Sequence, residues 1–178
     1  MRLKIKLALL TIGAWLAVAM MITACSVYSF TGVNTTAETI SIQNFFNDSG
    51  EGPANLSQRF TEELKDYFQQ NTNLTLVDND GDLQLEGSIT GYRTRPVAPT
   101  AARSDEVADV AGLTRLTIQV NVDYINVQNE ELNFNRGFSF YEDYDSRNST
   151  LASEEDRLIE VIFDQVVFDI FNATVADW

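Results

Sequence analysis

Histidine is absent from all 178 residues, and that gap removes Ser-His, Cys-His and His-ligated metal chemistry together. What remains to do chemistry is carboxylates, arginines and a single cysteine. The densest acidic run is Asp78-Asn79-Asp80-Gly81-Asp82, which invites comparison with a calcium loop. An EF-hand needs Gly at its sixth position and a bidentate Glu at its twelfth. Counted from Asp78 those positions are Leu83 and Ile89, so a tight turn is expected instead, and Asp-Gly favours a hairpin. Carboxylate pairs occur at Glu62 and Glu63, Glu142 and Asp143, and Glu154 to Asp156. General acid/base work needs two carboxyls about 5–10 Å apart across a cleft, in different environments. These pairs are expected on helix surfaces and in turns. There is no Gly-x-Ser-x-Gly motif, P-loop or dinucleotide fingerprint. The expectation is no catalytic residue, no metal and no other cofactor.

The N-terminus carries a different kind of chemistry. Arg2, Lys4 and Lys6 precede an uncharged stretch from Leu7 to Ala24. At about 1.5 Å per residue, that stretch almost spans a bilayer as a helix, so an uncleaved anchor is one reading. Its end, Ile22-Thr23-Ala24-Cys25, looks like the lipobox of bacterial lipoproteins. In that class the cysteine thiol is diacylated, the chain is cut before it and the new amine is acylated. The one cysteine of the chain falls at the one position where it matters. One acyl chain holds a protein only marginally, at about 0.8 kcal/mol per buried CH₂, whereas two or three hold essentially permanently. Residues 1–24 are thus expected to be a removed leader, 25–36 a lipidated Cys25 with its tether, and 37–178 a single domain. Ser26, in place of an Asp, leans toward outer-membrane delivery.

Charge narrows the partners. The chain carries −14, and losing Arg2, Lys4 and Lys6 with the leader takes it to −17. Such a polyanion repels nucleic acid. Nine basic residues then remain, of which Arg93, Arg95, Arg103 and Arg115 fall at one sheet end and its loop. Arg forks suit phosphate and carboxylate, and Asp105, Glu106 and Asp109 are the alternative partners nearby.

The elements that position these groups follow from periodicity. A strand is predicted over 38–46. Residues 56–71 form a helix with the stripe Leu56, Phe60, Leu64, Tyr67 and Phe68, and Asn55 with Gln58 has capping-box spacing. A short strand at 74–77, a turn and a strand ending at Pro96 come next. In 115–126, Leu116, Ile118, Val120, Val122 and Tyr124 alternate with Thr117, Gln119, Asn121 and Asp123. Phe134, Phe138 and Phe140 mark another strand, with Gly137 a candidate bulge. The last helix carries Leu158, Ile159, Ile162, Phe163, Val166, Val167, Ile170 and Phe171 on one wide stripe, with Ser153 and Asp156 as its candidate cap. The expected fold is α+β. It is a two-layer sandwich with both helices on one face of a four- to five-stranded mixed, mostly antiparallel sheet, in the order β-α-β-β-β-β-α.

That leaves one sheet face uncovered. Its outward residues include Thr39, Ser41, Gln43, Gln84, Glu86, Ser88, Thr90, Thr117, Gln119, Asn121, Asp123, Asn133, Asn135 and Ser139. Two are acids and none is basic. A weakly charged polar face resembles the lining of a polar cavity such as a β-barrel lumen. Ordinary strand preference accounts for the same pattern.

Over its whole mature length the chain resembles the LptE-type lipopolysaccharide-assembly lipoproteins, in their Bacteroidetes form. The segments that carry the resemblance are CSVYSFTG (25–32), TISIQNFFN (39–47), LSQRFTEELKDYF (56–68), LTLVDNDGDLQLEGSITGYRTRPVAP (74–99), RLTIQVNVDYIN (115–126) and DRLIEVIFDQVVFDIFN (156–172), with Trp178 at the end. The resemblance implies a non-enzymatic outer-membrane lipoprotein facing the periplasm, anchored by acyl chains such as palmitate on Cys25. It would plug and assist assembly of an LptD-type β-barrel and help deliver lipopolysaccharide to the surface. The barrel would meet the sheet surface of Ser88, Thr90, Thr117, Gln119 and Asn121. The family's lipopolysaccharide contacts are basic residues near one sheet end, for which Arg93, Arg95 and Arg115 are the nearest candidates. The competing reading is a free-standing periplasmic lipoprotein that binds glycan or peptide through open-face aromatics, Tyr92 and Tyr141 being the candidates.

Overall fold

The computed structural model describes residues 36–97 and 112–175. The leader, Cys25, most of the tether, Arg103, Asp105, Glu106, Asp109 and Trp178 lie outside the described residues. Within them the chain forms β1 (Thr39–Ile42), β2 (Phe46–Asn47), α1 (Leu56–Asn71), β3 (Thr75–Val77), β4 (Leu83–Pro96), β5 (Leu113–Asn126), a 3-10 turn (Glu130–Leu132), β6 (Phe134–Asp145) and α2 (Leu151–Thr174). The sheet order is β3-β1-β4-β5-β6, with β2 also pairing with β4. Both helices pack on one face, so the expected two-layer α+β sandwich is what forms. The two long ladders, β4 with β5 and β5 with β6, are antiparallel, while the three short ones are parallel.

The predicted first strand is two strands. β1 sets Ile40 beside Leu83, and β2 sets Phe46 beside Ser88, both along the same edge of β4. The chain breaks between them because Phe45 turns inward into the core while Phe46 is 69% exposed.

The turn after β3 is a correction to the hairpin expectation. β3 and β4 do not pair with each other; each lies parallel to β1, which sits between them. The Asp78-to-Asp82 segment therefore crosses β1. Asp80 adopts a left-handed φ of 54° there. A Cβ on Gly81 would stand 2.5 Å from the Ser41 amide nitrogen, so only glycine lets the crossing lie this close. The crossing also buries Ser41, which the alternation had placed on the open face. Asp82 closes it by accepting from the amides of Glu38 (2.9 Å) and Thr39 (3.0 Å) and from the Thr39 hydroxyl (2.9 Å). Those bonds, the Glu38 amide foremost, hold its carboxyl below the ordinary range.

The caps also differ. The Asn55 side chain makes no cap bond, and Gln58 donates instead to Glu62 one turn on (2.8 Å). α2 starts at Leu151, capped by Thr150 and Ser153 in a reciprocal box rather than by Ser153 and Asp156. Asp156 is thereby free to accept from Arg59 of α1 (2.8 Å). Gly137 sits in register opposite Asn121; the bulge lies in β4, between Ile89 and Gly91.

The helices run side by side in the same direction, as shown by Arg59 meeting Asp156, Phe60 meeting Phe163 and Tyr67 meeting Phe171. Between those contacts lies Glu63. Its Oε1 is buried with no hydrogen-bond partner, and Asp164 and Glu160 of α2 face it. Burial first, then the Asp164 charge, push its carboxyl up to about 8. A folded-state value above the unfolded one stabilises the fold fully below the unfolded value. That stability is lost as pH rises through about 8. Glu63→Gln keeps the neutral shape without the titration. We expect it to raise the melting temperature near pH 8–9 by the equivalent of about 1–2 kcal/mol, discounted because the side chain still meets water. A melting series from about pH 5 to pH 9 in both proteins checks this; parallel curves would refute it.

Candidate functional site

With the helices on one side, the strands' other alternate residues build the open face. Register sorts them into cross-strand rungs. From the end where Thr36 enters, the five between Gln84–Ile125 and Leu113–Asp145 are Glu86–Asp123–Asn135, Ser88–Asn121–Gly137, Gly91–Gln119–Ser139, Arg93–Thr117–Tyr141 and Arg95–Arg115–Asp143. Thr90 is the extra residue at the bulge, and its hydroxyl donates to the Gln119 carbonyl (3.4 Å). The five residues read from sequence as the barrel-facing surface, Ser88, Thr90, Thr117, Gln119 and Asn121, are thus contiguous at the middle of the face.

Charge is segregated along that face. At the entry end a shallow cavity of about 660 Å³ is lined by Phe46, Asp48, Glu86, Ser88, Asn121 and Asp123, among others. Among the described residues neither Glu86 nor Asp48 forms an ion pair. The opposite end carries Arg93, Arg95 and Arg115. Register places Arg95 directly opposite Arg115 and Arg93 one rung away, so the structure does bring these three together. They are not equivalent. Arg115 is held by Asp143 through two bonds (2.8 and 2.9 Å) and lies 3.5 Å over the Tyr141 ring. The Asp143 bonds raise its pKa further, so it stays charged at any physiological pH. Arg93 and Arg95 are exposed, with no ion pair among the described residues. A second cavity of about 520 Å³ is lined by them together with Ser49, Glu51 and Thr94. Two exposed guanidinium groups beside one held by a carboxylate can take an anion in a fork geometry.

The aromatic candidates separate. Tyr141 stands on the open face, 45% exposed. Tyr92 is buried on the helix side, where its hydroxyl donates to Glu155 of α2 (2.5 Å), and it reaches a ligand only as part of the wall of the Arg93 and Arg95 cavity. Sequence reasoning missed Phe46; two adjacent phenylalanines cannot both face the core of one strand, and that was the available signal. It also missed Asp143 as the Arg115 partner, since the two lie 28 residues apart. Among the described residues no cluster of three or more acidic or sulfur ligands could hold a metal ion. None of their helices is long and apolar enough to cross a membrane.

A family model described as LptE, lipopolysaccharide-assembly, matches residues 37–174. The chain belongs to the LptE family. The match spans the sandwich from the residues just before β1 to the last residue of α2, so the open face and its arginine end are both LptE-family territory. Among solved structures, the hypothetical protein CT253 from Chlamydia trachomatis shares the fold. It has a TM-score of 0.51 and 10% identity, covering 76% of this chain and 97% of that one. A minor lipoprotein from Acinetobacter baumannii matches with TM-score 0.47 and 17% identity, covering 76% and 91%. The rare lipoprotein B from Shewanella oneidensis matches with TM-score 0.45 and 10% identity, covering 76% and 89%. No curated protein matches this LptE-family chain.

Proposed function

We propose that this LptE-family protein is an outer-membrane lipoprotein, held by acyl chains on Cys25 and facing the periplasm. There it plugs an LptD-type β-barrel and assists its assembly, and so helps deliver lipopolysaccharide to the cell surface. The reading takes residues 1–24 as a removed leader, 25–36 as the tether and 37–178 as the working domain. It needs no catalytic residue and no cofactor. The observation that carries it is the open sheet face, whose middle rungs hold uncharged polar side chains and two glycines, the chemistry of a filled polar lumen. Arg93 and Arg95, with Arg115 behind them, are the groups that would touch a lipopolysaccharide phosphate, although a formal charge of −17 after leader loss makes the plug the larger part of the role.

Tagged full-length protein, solubilised from membranes, is expected to co-purify with a large β-barrel chain, and depletion is expected to cut surface lipopolysaccharide. Recovery of the native protein solely as a free monomer would overturn the plug. Cys25→Ala tests the anchor separately. It should leave the leader attached and abolish acyl mass, because two or three chains are what make membrane residence permanent. Mass spectrometry reads both outcomes.

A further inference from the structure

The five central rungs of the open face have a symmetry of their own. The middle rung, Gly91–Gln119–Ser139, is small or uncharged. Stepping outward one rung, Ser88–Asn121–Gly137 on one side answers Arg93–Thr117–Tyr141 on the other. One rung further, Glu86–Asp123–Asn135 answers Arg95–Arg115–Asp143. Glu86 and Arg95, Asp123 and Arg115, and Gly137 and Tyr141 each share a strand and stand equally far from the middle rung.

We propose that two copies of this chain pair face to face through the open side of the sheet, about a two-fold axis that crosses the strands at Gln119. Such an axis reverses strand direction and lays each strand over its own copy, so the interface is isologous. Glu86 then faces Arg95 of the second copy, and Asp123 faces Arg115. Tyr141, which stands 45% exposed, comes over Gly137 of the second copy. Gly137 offers the room, since a Cβ there would meet nothing closer than the Val120 carbonyl at 3.9 Å. Asp143 faces Asn135, an amide that can donate to it. Phe46 extends the Ser88 rung on the same side of the sheet and is 69% exposed. It comes beside the exposed Arg93 of the second copy, a cation over an aromatic face. The opposite stacking, with strands running the same way, lays β5 over its own copy and sets Asp123 on Asp123 and Arg115 on Arg115.

Packed sheets lie about 10 Å apart, which polar side chains of Gln and Asn length can bridge. Three strands about 4.8 Å apart, read over about ten residues, offer roughly 500 Å² per copy, or about 1,000 Å² in total. That is at the low end for a specific interface, and mostly polar, so the pair is reversible. The pairing does not depend on the barrel reading. It uses the same face, so one molecule holds one occupant at a time, and a self-pair keeps that face covered until another partner displaces it.

The test uses the full chain in membranes, with Gln119→Cys as the probe and a short bis-maleimide crosslinker. Stacked sheets are too far apart for a direct disulfide at the axis. A covalent homodimer is expected. Glu86→Arg with Asp123→Arg should lower its yield about tenfold, and adding Arg95→Glu with Arg115→Glu should restore it. High salt, which needs no substitution and therefore no refolding, should lower the yield as well. A cysteine at exposed Glu130 is the control and should stay monomeric. Three results overturn the pairing: no Gln119→Cys homodimer, a homodimer indifferent to both charge reversal and salt, or Gln119→Cys joined to a large β-barrel chain and never to itself. The last of these would support the plug while removing the self-pair.

Discussion

Phe60→Ala is expected to lower the unfolding free energy by about 3–5 kcal/mol, the range for deleting a fully buried phenylalanine. Phe60 is 0% exposed and sits where three parts of the fold meet. Its ring stands edge-on to Phe45, between β1 and β2, at 5.0 Å and 67°, and edge-on to Phe163 of α2 at 5.0 Å and 73°. Each such pair adds about 0.5–1.5 kcal/mol beyond area burial. The site cannot collapse easily, because α1, α2 and the sheet are each fixed by other contacts. Those include the Arg59–Asp156 pair at one end of the helix interface and the Tyr67 and Phe68 contacts with Phe171 at the other. Urea titration of both proteins checks the value. Phe60→Leu keeps most of the volume but loses both ring pairs, and should cost about 1–3 kcal/mol, less than Phe60→Ala. Equal losses from the two substitutions would mean that cavity formation is not the cause.

The second large effect is expected one layer down. Gly87→Ala should cost about 3 kcal/mol, at the upper end of ordinary overpacking. Gly87 lies on the helix side of β4, between Leu85 and Ile89, opposite Val122. An added Cβ would sit 2.1 Å from the Asn121 carbonyl oxygen of β5 and 2.7 Å from the Phe45 ring. The ring can move; the carbonyl belongs to the longest ladder in the sheet and cannot move without breaking register. The missing side chain is therefore the socket for Phe45, which in turn supports Phe60. Adding Phe45→Leu to Gly87→Ala relieves only the ring contact, so the double variant should recover less than half of the loss. Full recovery would show that the carbonyl is not the obstacle.

What was legible in the sequence is what depends on period. From Leu116 to Tyr124 every second residue is buried, and in α2 the stripe from Leu158 to Ile170 is buried without exception. Each such residue reports its own face, whatever its partner. The arginine end was also legible, because Arg93 and Arg95 share a strand and Arg115 follows across one loop. The order β3-β1-β4 was not. Nothing local in Thr75–Val77 says which strand it will pair with, and Asp80-Gly81 has the same composition whether it reverses the chain or carries it across a neighbour. Caps failed for a related reason. Thr150 and Ser153 are both good N-cap residues, and the winner is decided by where the chain leaves β6, not by either side chain. The Arg115–Asp143 pair and the inward Tyr92 are cross-element facts that no one-dimensional pattern contains.

The position of β1 has a mechanical consequence. Force on the N-terminus enters at Thr36 and runs straight into a strand flanked on both sides by parallel neighbours, with the Asp82 carboxylate pinning its first amides. A pull along that axis loads the backbone bonds to β3 and β4 in shear, all together, where an edge hairpin would peel one bond at a time. A leash fastened there would draw on an inner thread gripped from both sides, so a tug would be shared by both neighbours at once instead of opening one seam.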